Sequence, residues 1–269
     1  MTIPYAPTLR RAAALPIGLV LASLAMAGCG HSSSSAAAGQ SSTSSSASVA
    51  PGASSSSTAP AYTPLTTTQL AALLPTAAAL PGWKATPSSS TANDPATAKQ
   101  DAELAACVGS PNSDTLKVAQ ASTPDFTLNP SGASQVISAD VTSYKTTAAV
   151  TADVAALKNS RYPACFKKEL AAHGAQLFGG GYTYVSSTVT VTPGTTAMVA
   201  GRIDSVVKLK SATGKPLAFA VTEVALVGPG VEESVTFVAA GKPVSAAVAA
   251  RFLTQAEKSL ASGTSTGGA

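Results

Sequence analysis

The chain has 269 residues, of which only 11% are charged, with a formal net charge of +4; an ordinary soluble protein has roughly 25% charged residues. The shortfall is local, because no Lys, Arg, Asp or Glu occurs between Gly30 and Trp83. Over the rest of the chain acids and bases are intermixed, which excludes the one-faced basic cluster that nucleic-acid binding needs.

Residues 1–28 read as an export signal. Arg10 and Arg11 form a positive head, and Leu15, Ile17, Leu19, Val20, Leu21 and Leu24 build an apolar core. That core is about 15 residues long, short of the roughly 20 that cross a bilayer. Its end, Met26-Ala27-Gly28-Cys29, resembles the bacterial lipobox, although Met26 stands where Leu is usual. The resemblance implies cleavage before Cys29 and attachment of diacylglycerol to its thiol, with palmitate-type chains holding the protein on the membrane. Two acyl chains, at roughly 0.8 kcal/mol per buried methylene, anchor stably where one does not.

Residues 29–61 are almost wholly Ser, Ala, Thr, Gly and Pro. Such a segment has too little apolar surface to offset its ordering entropy, so it is expected to be a disordered tether. As a flexible coil it spans roughly 30 Å.

A folded domain is expected over residues 62–261. Thr66-Thr67-Thr68 can cap a short helix carrying Leu70, Leu73 and Leu74, stopped by Pro75. Leu80-Pro81-Gly82-Trp83 turns into an extended piece, with Trp83 expected as a core plug. Asn93-Asp94-Pro95 opens a second helix that runs through Leu104 to Cys107. Gly109 to Asn129 reads as a polar, Pro-containing loop.

Ile137, Ala139 and Val141 alternate in a strand from Gln135 to Tyr144. Thr146 then caps a helix with Val150, Val154 and Leu157 on one side. Ser160 and Pro163 start the next helix, which ends near Gly174. Four strands follow, Tyr182–Val191, Met198–Lys210, Leu217–Val227 and Val231–Ala239, separated by Gly- and Pro-containing turns. In the second of these, Val199, Ile203, Val207 and Leu209 are expected on one face. Ser245 caps a closing helix with Val248, Phe252, Ala256 and Leu260 repeating every four residues. Residues 262–269 are left as a disordered tail. The pattern predicts an α+β fold, an antiparallel β-sheet with helices packed on one face.

With Cys29 lipidated, Cys107 and Cys165 remain, an even pair in an oxidising compartment, which predicts a structural disulfide. A redox pair needs a tight Cys-x-x-Cys spacing, and a zinc site on these cysteines needs more Cys or His close by. The order Leu80-Pro81-Gly82-Trp83, Cys107, strand, Arg161-Tyr162-Pro163-Ala164-Cys165-Phe166, meander and closing helix resembles a group of actinobacterial lipoproteins. Their domain is similar to the extracellular sensor domain of mycobacterial serine/threonine kinase H. The resemblance covers most of residues 64–260 and implies a ligand-binding cleft between sheet and helices, with no catalytic residues attached.

The chemistry is sparse. His31 falls in the tether, so a histidine mechanism rests on His173, which is expected to sit at a helix C-terminus facing the dipole. No Gly-x-Ser-x-Gly elbow is present. The pairs Asp101/Glu103 and Glu232/Glu233 point to different faces of their elements and are expected to be solvated surface. Gly179-Gly180-Gly181 leads into Tyr182 and Tyr184, and a cleft formed by Gly180, Tyr182 and Tyr184 is the expected binding site. The functional expectation is a lipid-anchored, sensor-like binding domain of the cell envelope, without catalysis, cofactor, metal or nucleic acid. Its partners are the membrane, through Cys29, and an envelope ligand or protein. The alternatives are an envelope serine hydrolase using His173 and a passive scaffold.

Overall fold

The computed structural model describes residues 62–88, 95–130, 133–178 and 181–265. The expected export segment, Cys29 and the tether lie outside the described residues.

Among the described residues, eight strands form one antiparallel sheet. They are β1 (Lys84–Thr86), β2 (Lys117–Ser122), β3 (Asp125–Leu128), β4 (Ser134–Tyr144), β5 (Tyr182–Pro193), β6 (Val199–Ser211), β7 (Pro216–Gly228) and β8 (Val231–Ala240). The spatial order is β1-β3-β4-β8-β7-β6-β5, with β2 also paired to β4. The helices are α1 (Thr67–Leu73), α2 (Pro95–Val108), α3 (Thr147–Leu157), α4 (Tyr162–Leu177) and α5 (Ala246–Ser265). The fold is α+β, as the sequence predicts. None of the described helices is long and apolar enough to cross a membrane.

The stretch expected to be a loop from Gly109 to Asn129 instead holds β2 and β3. Both run antiparallel to β4, β2 against Asp140–Tyr144 and β3 against Gln135–Ile137. Pro124, which has no N–H to give a ladder, separates them. Thr123 bridges the gap: its N–H donates to Ala139 O, and its hydroxyl accepts from Ala139 N, both at 2.9 Å. β2 lies at an edge, paired to β4, and its polar, partly exposed residues reflect that position, while β3 is a short strand between β1 and β4.

The helices were expected on one face; they cover both. Strand alternation shows why. Ile137, Ala139 and Val141 of β4, Val224 and Leu226 of β7, and Val231, Val235 and Phe237 of β8 pack with Leu70 and Leu73 of α1 and Phe252, Ala256 and Leu260 of α5. The alternate residues Phe219, Val221 and Ala225 of β7 and Val238 of β8 pack with Leu104 of α2, Leu157 of α3 and Phe166 of α4. A strand apolar at both parities is buried on both sides. Val199 departs from its expected face for a related reason. A register shift between Val199 and Gly201 breaks the two-residue period, so Val199 joins the α1/α5 core while Ile203 and Val207 join the other.

Several local expectations hold. Thr66 and Gln69 form a reciprocal capping box on α1. Cys107 of α2 and Cys165 of α4 are disulfide-bonded. α5 runs on to Ser265, past the boundary expected at Ala261, and Gly263 there packs against the Leu73 side chain.

Candidate functional site

The face of the sheet under α2, α3 and α4 is the polar one. Glu223 of β7 shares its parity with Phe219, Val221 and Ala225, and Glu232 of β8 shares its parity with Ser234 and Val238. Asp153 of α3 and Tyr162 of α4 reach toward them. Asp153, Glu223, Glu232 and Tyr162, with Val154, Leu157, Ala200, Ile203 and Ala225, line a cavity of about 20 Å³. That volume holds roughly one water-sized group.

Asp101 and the Glu232/Glu233 pair, expected on the solvated surface, are instead drawn inward. Asp101 is 1% and Glu233 0% exposed, and Glu232 is partly buried. The reason is register. Asp101 lies one helical repeat before Leu104, Ala105 and Val108, the buried stripe of α2. Glu103, on another face of α2, remains exposed. On β8 both faces are covered by helices, so neither parity leads to open solvent.

The hydrogen bonds are fewer than the carboxylate oxygens need. The Ser113 hydroxyl donates to Asp153 Oδ2 at 2.7 Å, and the Ser234 hydroxyl to Glu223 Oε1 at 2.8 Å. The Tyr144 hydroxyl reaches Glu232 Oε2 at 3.4 Å. Neither oxygen of Asp101, nor Asp153 Oδ1, has a hydrogen-bond partner among the described residues. Lys117 exerts an opposing charge on Asp101, Asp153 and Glu232, but it is itself paired with Asp114.

Burial therefore decides the protonation. It pushes Asp101 well above the usual carboxylate range, with Lys117 opposing and Asp114, Glu223 and Asp153 reinforcing. Asp153 is raised to about 7 by burial, against the bond from Ser113. Glu223 is raised to about 7 by burial, against the bond from Ser234. Glu232 goes to about 8, through burial and then the neighbouring Asp153. Tyr162, enclosed by these acids, is raised well above its ordinary value, first by desolvation. At neutral pH the cluster holds protons that carboxyls in water have lost.

Glu233 lies on the other face, within the α1/α5 core. Neither of its oxygens has a hydrogen-bond partner among the described residues. Burial, reinforced by Asp140, raises it to about 8. A carboxyl in such a place stays protonated at neutral pH.

Gly179 and Gly180 of the expected cleft lie outside the described residues, while Gly181 has φ +71° and opens β5. Tyr182 meets Phe219 edge-on, with centroids 6.5 Å apart. The Tyr184 and Ser187 hydroxyls are 2.9 Å apart. Both tyrosines are partly buried and pack against the core beneath α4. Trp83 is partly buried against the α1/α5 core.

His173 lies in the C-terminal half of α4. Its Nε2 is 3.2 Å from Glu103 Oε2 and 3.6 Å from Glu169 Oε2. The three side chains present donor atoms within 4.8 Å of one another. The sequence reading missed this trio because Glu103 and Glu169 are far apart in the chain, and the disulfide brings their helices together.

No family model and no curated protein matches the chain. Among solved structures, the chain is similar to the extracellular domain of PknH from Mycobacterium tuberculosis. That likeness has 14% identity and a TM-score of 0.36, over 74% of this chain and 98% of that one.

Proposed function

We propose that the chain is a lipid-anchored binding domain on the outer side of the cell membrane, non-catalytic, whose site is the acid-lined cavity under α3. The lipid is carried by Cys29, and residues 29–61 serve as its tether. The observation that carries the reading is the convergence of Asp153, Glu223 and Glu232 on one small cavity with Tyr162. Desolvated carboxyls lower the stability of a fold, and groups kept against that cost cluster at functional sites. A cavity of this size and charge fits a single ammonium head, so the ligand class is an amine-bearing envelope molecule. The binding reading is favoured over the hydrolase because the His173 imidazole engages two carboxylates rather than a serine hydroxyl.

One experiment tests anchor and site together. The full chain is taken from its own membrane fraction and analysed by native mass spectrometry, alongside Cys29→Ala and an Asp153→Asn/Glu232→Gln double variant. The wild type should partition into detergent and retain a basic adduct. Cys29→Ala should leave the detergent phase, and the double variant should keep the anchor and lose the adduct. An adduct held equally by the double variant would overturn the site. No adduct in any form would leave the passive scaffold as the better account.

A further inference from the structure

A second cluster of ligating side chains lies outside the cavity, on the outer side of α2 and α4. Its geometry is set by the disulfide. Cys107 and Cys165 join the two helices. One turn back along α2 from Cys107 is Glu103, and one turn forward along α4 from Cys165 is Glu169, followed one turn later by His173. The helices run antiparallel at the bridge, so these steps keep the three residues abreast. The covalent link thus fixes the register in which they meet.

We propose that Glu103, Glu169 and His173 form a binding site for a divalent transition-metal ion of the zinc type, a site that goes beyond the cavity reading and is independent of it. Zinc takes imidazole nitrogen and carboxylate oxygen at about 2.0–2.2 Å, which sets tetrahedral donors about 3.4 Å apart. The observed separations are 3.2 Å from His173 Nε2 to Glu103 Oε2 and 3.6 Å to Glu169 Oε2. No donor is more than 4.8 Å from another. Glu103, exposed and with three side-chain torsions, supplies the remaining movement.

Glu169 points to a ligand on its own account. It is 8% exposed, and its Oε2, facing His173, has no hydrogen-bond partner among the described residues. An ion held between these donors would satisfy that oxygen. Its charge would also offset the repulsion that Glu103 exerts on the Glu169 carboxylate, a repulsion that reinforces the upward effect of burial on Glu169. Lys99 sits 3.7 Å from the other Glu103 oxygen, not the one that faces His173. On binding, Nε2 gives its lone pair to the metal and the imidazole keeps its proton on Nδ1. Three protein donors leave a position for water or for a donor from a bound partner.

The test uses the purified full chain, with Zn²⁺ as the probe in calorimetry and Co²⁺ as a spectroscopic substitute. The wild type should bind one equivalent saturably, show a visible Co²⁺ spectrum and melt at higher temperature with Zn²⁺. His173→Gln and Glu103→Gln should each weaken binding by roughly 100-fold or more, at least the upper end of the loss that removing a second-shell group causes. His31→Gln, in the tether, should bind as the wild type does, and so should the Asp153→Asn/Glu232→Gln cavity variant. Reduction of the Cys107–Cys165 bridge should weaken binding by loosening the register. Glu103 is solvent-exposed, so Glu103→Gln keeps the test valid even if His173→Gln fails to fold. Absence of saturable Zn²⁺ binding by the wild type overturns the proposal, as does undiminished binding by Glu103→Gln.

Discussion

The two faces of the central sheet are built from the same strands and have opposite characters. Under α1 and α5, Phe252 meets Phe126 and Phe237 edge-on, with centroids 5.9 and 6.4 Å away, in a mainly apolar cluster whose strand face also carries the buried Glu233. Under α2, α3 and α4, the apolar packing is interrupted by Asp101, Asp153, Glu223 and Glu232. Because side chains alternate along a strand, each residue of β7 and β8 is committed to one character or the other. Adjacent residues can therefore serve different ends: one parity builds the dry core and the other builds the site. Both sides carry a packed apolar core, and the contrast is that the buried acids gather mostly on one of them.

The largest expected effect comes from a buried acid that runs against the contrast. Glu233 is a carboxyl in the dry face, and its folded value of about 8 stands above the 4.5 of an unperturbed glutamate. Between those values the folded state holds a proton that the unfolded state has lost. Stability therefore falls as pH rises through that window and is fully reduced above about 8. The cost at the alkaline end is on the order of 5 kcal/mol. Glu233→Gln removes the titration, so the variant should match the wild type near pH 5 and exceed it clearly at pH 9. Thermal melts at the two pH values check this. Equal pH dependence in both proteins would mean that Glu233 finds a charge partner or water when it ionises.

Next in size is the dry core itself. Phe252 is fully buried, and truncating such a ring removes its transfer energy and leaves a cavity. Phe252→Ala should cost about 3–5 kcal/mol, which lowers Tm by roughly 10 °C in a domain of this size. The loss should be the same at pH 5 and pH 9, because no titrating group leaves. A loss that varied strongly with pH would show that the two faces are coupled across the sheet.

How far the sequence disclosed this differs by element. The closing helix with Phe252, Ala256 and Leu260 and the four long strands after Tyr182 carry their own periodicity and are where the pattern places them, and the cap of α1 falls on Thr66, the first of three threonines that could supply it. β2 and β3, of six and four residues, are too short for an alternation to stand out in the sequence, and their pairing is set by β4. The second helical layer was legible in principle: Val224, Ala225 and Leu226 are consecutive apolar residues, as a strand covered on both sides requires. The acid cluster was also written in the stripes. Asp153 is three residues after Val150 and four before Leu157, inside the apolar face of α3, and Asp101 is three residues before Leu104 and seven before Val108, on the buried stripe of α2. What no local pattern contains is the meeting of Glu103 with Glu169 and His173, which depends on how two distant helices are docked.

The smallest effect, and the sharpest comparison, is Glu232→Gln. Glu232 and Glu233 are neighbours on one strand, and burial raises each to about 8. Their surroundings differ. Glu232 is only partly buried and borders the cavity, with the Tyr144 hydroxyl 3.4 Å from Oε2. It also has Asp153 beside it, raised to about 7, as Glu223 is on the neighbouring strand. When Glu232 ionises, water at the cavity and the Tyr144 hydroxyl can solvate the charge, which lowers the cost relative to Glu233. Neutralising Glu232 also leaves Asp153 and Glu223 titratable, each still raised first by burial. The variant should therefore gain only about 1–2 kcal/mol at pH 9, the scale of one hydrogen-bonded polar group. Its stability should still decline as pH rises through 7, while the further decline near 8 is reduced. Melts of the two single variants across pH 5–9 make the comparison directly. If Glu232→Gln gained as much as Glu233→Gln, the cavity would be as dry as the α1/α5 core, and the acid cluster would be closed to any ligand.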